Sequence, residues 1–141
     1  MIALTLPKHL IVLMALYCAT SLAHFVHNAQ FLADYPNMPA WLSPLQVMGA
    51  WLAVTAVGVL GWLVTRTRWP LPGLLLIAAY AGLGFDGLAH YTLAPMSAHS
   101  LTMNLTIWSE VVAAALLLSA TALLVLKTLW PARASASTSR R

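Results

Sequence analysis

All eight prolines of this chain fall between, or at the ends of, four long apolar stretches. Proline inside a helix removes a backbone hydrogen bond and clashes with the preceding turn, so this placement leaves four uninterrupted runs. They extend about from His9 to Ala33, Pro44 to Thr65, Pro72 to Leu93 and Ser100 to Trp130. Each reaches the ~20 residues that an α-helix needs to cross ~30 Å of hydrocarbon. The expected fold class is an all-α integral membrane protein, a four-transmembrane-helix bundle occupying residues 1–130 as one domain. Ser43-Pro44 reads as an N-cap followed by proline at the first helical position.

Charge supports this reading and orients it. Charged residues make up 7% of the chain, against about 25% in a soluble domain. The basic residues are Lys8, Arg66, Arg68, Lys127, Arg133, Arg140 and Arg141. They flank helix 1, join helices 2 and 3, and end the chain, which by the positive-inside rule puts both termini in the cytoplasm. The expected location is the bacterial cytoplasmic (inner) membrane, with the loops Asp34 to Ser43 and Ala94 to His99 facing outward. Trp62, Trp69 and Trp130 fit an inner aromatic belt and Trp41 an outer one. The lipid bilayer is the expected partner. Nucleic acid is not, because no contiguous basic face exists. The tail 131–141, PARASASTSRR, is expected to be a disordered basic cytoplasmic segment.

The N-terminus has a competing reading. Lys8, a short apolar run and Ser21-Leu22-Ala23 resemble a cleavable signal peptide. The apolar pattern continues through Phe25, Val26, Ala29, Phe31 and Leu32, which favours an uncleaved helix. The single Cys18 excludes an internal disulfide and argues against a thiolate metal cluster.

The chemistry-bearing residues gather at the outer side. Four of the five histidines (His24, His27, His90 and His99) and all three acids (Asp34, Asp86 and Glu110) fall there, without any Lys or Arg. An ionisable group that persists in an apolar helix is by default a functional hypothesis. Residues three and four apart share a helix face. Tyr17, Ser21, His24, Asn28 and Phe31 therefore form one stripe on helix 1, with His27 on its flank. Asp86 and His90 form an i, i+4 pair on helix 3, and His99, Met103, Thr106 and Glu110 a stripe on helix 4. At 1.5 Å per residue, His27 lies roughly 9 Å, His24 roughly 13 Å, Asp86 roughly 10 Å and Glu110 roughly 15 Å below the outer helix ends, with His90 at roughly 4 Å. His24, His27, Asp86 and Glu110 thus share one layer, with His90 above it and His99 at the mouth.

A carboxylate near a helix centre costs about 2.5–3.5 kcal/mol on insertion scales. Protonation, imidazolium or a metal ion would offset this. The first expectation is a transition metal, Zn, Fe, Mn or Cu, held by a subset of His24, His27, Asp86, His90, Glu110 and His99, with two adjacent ions as a variant. The protein would then be a metal-dependent membrane oxidoreductase or hydrolase acting on a lipid-soluble substrate, with Glu110 or Asp86 as general base. Asn28 and Tyr17 would orient a ligating histidine.

Three other readings are open. One is b-type haem for electron transfer, with axial His27 and His90. Another is a metal-free pocket that relays protons or binds a ligand. The third is an assembly subunit without catalysis. The four-helix layout, with an outward polar pocket and Pro39-Ala40-Trp41-Leu42 leading into helix 2, is similar to the sterol isomerase/sigma-2 receptor family. That resemblance implies an isomerase-like or ligand-binding pocket. The charged residues do not align with it, so no site residue is carried over.

Other polar and aromatic residues are expected to be structural. His9 is interfacial, Asp34 serves a turn before Tyr35-Pro36-Asn37, the methionines pack, and Trp51 and Trp108 fill the bundle core. Gly58, Gly61, Gly82, Gly84 and Gly87 let helices approach closely.

Overall fold

The computed structural model describes the backbone of residues 4–138 and the side chains of residues 4–130. The tail expected over 131–141 therefore lies outside the described side chains, and its last three residues outside the described backbone. Every regular element among the described residues is helical. The α-helices are α1 (Lys8–Gln30), α2 (Pro44–Thr65), α3 (Pro70–Leu83), α4 (His90–Leu93) and α5 (Leu101–Thr138). Four spans are long and apolar enough to cross a membrane: Lys8–Gln30, Pro44–Thr65, Pro70–Leu93 and Leu101–Trp130.

Helix ends follow their local chemistry. Pro7 precedes α1, which closes with the Phe31 amide donating to the His27 carbonyl at 3.0 Å. The chain then tightens into a 3-10 turn over Leu32–Asp34, where the sequence pattern extends the helix to Ala33. At α2 the Ser43 hydroxyl accepts the Gln46 amide, and Gln46 Oε1 accepts the Ser43 amide at 2.9 Å, with Pro44 at the first helical position. This reciprocal capping satisfies two otherwise unpaired amides.

The α2–α3 hairpin turns at the basic end. Thr67 Oγ1 donates to the Val64 carbonyl and accepts the Trp69 amide. The Arg66 guanidinium lies 4.0 Å from the Trp62 ring centroid, so charge and indole share one boundary. The two helices then touch backbone to backbone, since a Cβ on Gly73 would come within 2.5 Å of the Thr65 amide nitrogen.

The third span is not one continuous α-helix. Between α3 and α4, residues Gly84–Ala89 wind as a 3-10 helix. Residues three apart eclipse in that geometry, and Gly84, Gly87 and His90 are accordingly all buried on one face. Asp86 falls off that face and is exposed. The two glycines permit the contact: a Cβ on Gly84 would sit 2.6 Å from both the Tyr17 ring and the Ala114 Cβ.

On α1 the buried positions are Leu10, Tyr17, Ser21, His24 and Asn28. Their spacings of seven, four, three and four make a straight seam along one face. Phe31, the last member of the expected stripe, is 45% exposed. The α5 seam buries Met103, Ile107, Glu110, Ala114, Leu117 and Thr121. Two apolar clusters result. One, around Leu10, Tyr17, Leu74, Ile77, Tyr80 and Leu117, fills the half toward the basic end. The other, Tyr35, Met103, Ile107 and Val111, lies toward the histidine end. Between lipid-like surfaces such contacts act through close van der Waals fit and interhelical hydrogen bonds. Trp108 does not join the core; it is 42% exposed on the outer side of α5. Trp51 is half-buried, with its indole N–H donating to Ser21 Oγ at 3.2 Å.

Candidate functional site

The polar members of three spans meet around a cavity of about 230 Å³. His24 and Asn28 reach it from α1, Glu110 from α5, and Asp86 and His90 from the third span. Gly87 forms part of the wall, and a Cβ there would lie 3.4 Å from both Glu110 Oε2 and His24 Cε1. The glycine therefore keeps the face of the imidazole–carboxylate pair accessible.

His24 and Glu110 are the centre of the arrangement. Both are almost fully buried, at 3% and 2% exposure, and His24 Nδ1 and Glu110 Oε2 are hydrogen-bonded directly. The remaining ring nitrogen, His24 Nε2, is buried without a hydrogen-bond partner. One turn further along α1, Asn28 donates from Nδ2 to His90 Nε2 at 3.2 Å, and its Oδ1 is buried and unpartnered. The His24 and His90 ring centroids are 5.4 Å apart, in an edge-to-face arrangement.

The other expected residues are placed differently. His27 turns toward the outer loop, where its Nδ1 and the Tyr35 hydroxyl are hydrogen-bonded at 2.9 Å. His99 is buried at the start of α5 but does not line the cavity. Its Nδ1–H donates to the Pro95 carbonyl at 3.1 Å, and its Nε2 is unpartnered. Asp86 lines the cavity from an exposed position and makes no hydrogen bond or ion pair among the described residues. The 3-10 winding, at three residues per turn, sets Asp86 off the buried face that His90 occupies, and both still line the cavity. Asp34 ends the 3-10 turn after α1, in the outer loop.

Tyr35 is the site residue that sequence reasoning assigned only to a turn. Its ring is 3% exposed and lies 4.9 Å from the His90 ring, 5.8 Å from His27 and 6.4 Å from His99. The phenol thus caps the histidine cluster and packs against both members of the proposed axial pair, His27 and His90. Burial pushes its ionisation above the ordinary tyrosine value. Asn37, in the left-handed region at φ 57°, holds the same loop down through a 2.9 Å bond to the Leu93 carbonyl. No local pattern announces these contacts, because they join residues on separate elements. Met38 and Leu42 separate the inner cavity from an outer vestibule of about 590 Å³.

Among the described residues no three His, Cys, Asp or Glu side chains are grouped so as to hold one ion. A carboxylate fixes the His24 ring, one nitrogen is left bare, and no Lys or Arg lines the space. Such an imidazole can accept a proton at Nε2 while the carboxylate stabilises the imidazolium that forms. No protein-family model, curated protein or solved structure matches this chain.

Proposed function

We propose that this chain is an integral protein of the bacterial cytoplasmic membrane, with both termini cytoplasmic and an acid–base site near the outer face. The site takes a proton from a lipid-soluble molecule and returns it, as an isomerase does. The observation that carries this reading is the buried His24–Glu110 contact beside a cavity, with His24 Nε2 free to accept. His24 is the base. Glu110 orients its ring and balances its charge. Asp86, on the same cavity, is a second group able to carry a proton. The proton leaves one atom of the bound molecule for His24 and returns to another atom of that molecule, so no oxidant or reductant is consumed. Topology is supported by Lys8, Arg66, Arg68 and Lys127 lying near the span ends opposite His24, His27, His90 and His99.

The test is nitrogen NMR of histidine-labelled protein in lipid nanodiscs. His24 is expected as the Nδ1–H tautomer with a bare Nε2, and Glu110→Leu is expected to abolish that preference. A His24 ring protonated at Nε2 alone in the unmodified protein would overturn the reading.

One observation favours a second reading. His24 and His99 each donate Nδ1–H to an oxygen and leave Nε2 bare, as metal-ligating histidines do. Zn, Fe, Mn or Cu would be the ions. Elemental analysis of mildly purified protein tests this: stoichiometric metal lost in His24→Ala supports it, and its absence from the unmodified protein ends it.

A further inference from the structure

Tyr17 is fully buried on α1, and its hydroxyl has no hydrogen-bond partner among the described residues. A buried donor left unpaired carries the full penalty of losing water, so its complement is an acceptor. Tyr17 lines a cavity of about 310 Å³ that also reaches Glu110 and Asp86. That cavity shares Phe25, Ala50, Asp86 and Glu110 with the cavity at His24. The 3-10 segment sets the separation of the two ends. A Cβ on Gly84 would lie 2.7 Å from the Tyr17 hydroxyl oxygen, and one on Gly87 3.4 Å from His24 Cε1, the ring atom bonded to Nε2. The two glycines are buried on one face, three residues apart, which is roughly 6 Å along a 3-10 axis. A hydrogen bond of ~2.8 Å and a few bonded atoms cross such a distance. One molecule can therefore meet Tyr17 and His24 together.

A proton shift limits what that molecule is. A C–H bond yields its proton to a neutral imidazole only where the electrons left behind move onto an electronegative atom. No Lys or Arg lines either cavity to hold that charge. A carbonyl oxygen receives the electrons, and the negative charge that develops there needs a hydrogen-bond donor already in place. The Tyr17 hydroxyl is such a donor. Return of the proton to a different carbon requires a C=C bond that starts at the next carbon along. Phe25, Ala50, Val54 and Leu83 make the rest of the wall apolar, which suits a hydrocarbon frame.

We infer that these adjoining cavities take a β,γ-unsaturated ketone, with the Tyr17 hydroxyl on its carbonyl oxygen and His24 Nε2 on the carbon between the carbonyl and the double bond. This rests on the acid–base reading above and names its substrate class. His24 Nε2 takes a proton from that carbon. The C–H electron pair becomes a C=C bond to the carbonyl carbon, and the C=O π pair moves onto oxygen, where the Tyr17 O–H donates to it. The electrons then flow back, the γ-carbon takes the proton from His24, and the remaining C=C bond is conjugated with the carbonyl. Nothing is oxidised or reduced.

The experiment incubates the full-length protein in nanodiscs with the unconjugated isomer of cyclohexenone and follows the conjugated isomer by its ultraviolet absorbance. Turnover above that of empty nanodiscs is expected. Tyr17→Phe removes a single oxygen atom and is expected to lower kcat about 100-fold or more, with KM nearly unchanged. Tyr80→Phe, on the ring packed 4.5 Å from that of Tyr17, controls for altered packing and is expected to turn over normally. Gln46 is a further donor on the cavity at His24, but its side chain is exposed and its Oε1 already accepts the Ser43 amide. Absence of turnover overturns the inference, as does full kcat in Tyr17→Phe. A larger loss in Gln46→Met than in Tyr17→Phe overturns the assignment of the donor. The His24 tautomer is read separately. The expected tautomer without turnover removes this inference alone; turnover with His24 protonated at Nε2 removes His24 as the base and leaves the substrate class standing.

Discussion

His24 and Glu110, on α1 and α5, meet side chain to side chain although 86 positions separate them in sequence. The contact is buried on both sides and leaves the second imidazole nitrogen without a partner. Removing one partner of a buried hydrogen-bonded pair costs about 1–3 kcal/mol, more where a charged group is left unpaired. Glu110→Leu is therefore expected to destabilise the protein strongly. The double variant His24→Leu/Glu110→Leu is expected to be less destabilised than the sum of the singles, with a coupling of about 1–3 kcal/mol. Denaturant titration in mixed micelles checks this, and strict additivity would contradict direct pairing.

The two glycines of the 3-10 segment separate packing from access. At Gly84 a new Cβ would meet Tyr17 and Ala114 at 2.6 Å, so Gly84→Ala should cost about 1–3 kcal/mol by overpacking. At Gly87 the nearest atoms are 3.4 Å away. Gly87→Ala should therefore leave stability within about 1 kcal/mol while narrowing the approach to His24. Thermal melts give the first comparison and nitrogen NMR of the His24 ring the second. Equal destabilisation at both positions would argue against this division.

Tyr35 gives the outer loop a pH dependence. Burial raises its ionisation, so the folded state holds the phenolic proton more tightly than the unfolded chain, whose tyrosines titrate near about 10. The contribution of the loop contact is fully present below about pH 10 and is lost as pH rises through the higher folded value. Ultraviolet titration should show late tyrosine ionisation, and Tyr35→Phe should lower its amplitude by one tyrosine's share. The same substitution deletes the bond to His27 and should cost about 0.5–1.5 kcal/mol.

The lower rim of the vestibule depends on the capping of α2. Ser43→Ala removes the acceptor for the Gln46 amide and should cost about 0.5–2 kcal/mol. Asn37→Ala loses both the bond to Leu93 and a residue type suited to positive φ. Its expected effect is faster amide exchange over residues 34–43 with little change inside α1 and α5, measured by hydrogen exchange and mass spectrometry.

The sequence by itself determines the four spans, because proline placement and run length act locally and admit few alternatives. It also indicates most of the residues of α1 and α5 that turn inward: Tyr17, Ser21, His24 and Asn28, and Met103 with Glu110, follow helical periodicity, while Phe31 and Thr106 of the same stripes are not buried. Periodicity says less where a span is apolar all round, and Trp108 accordingly faces outward although its position suggests a core role. Tertiary structure alone decides the third span. Close approach of Gly84 to Tyr17 and Ala114 accompanies three-residue winding, which carries His90 inward with Gly87 and leaves Asp86 off that face. It also decides that Tyr35 covers the histidines and that His27 turns to meet it. These outcomes depend on backbones meeting across the bundle, and no spacing along one helix encodes such a meeting.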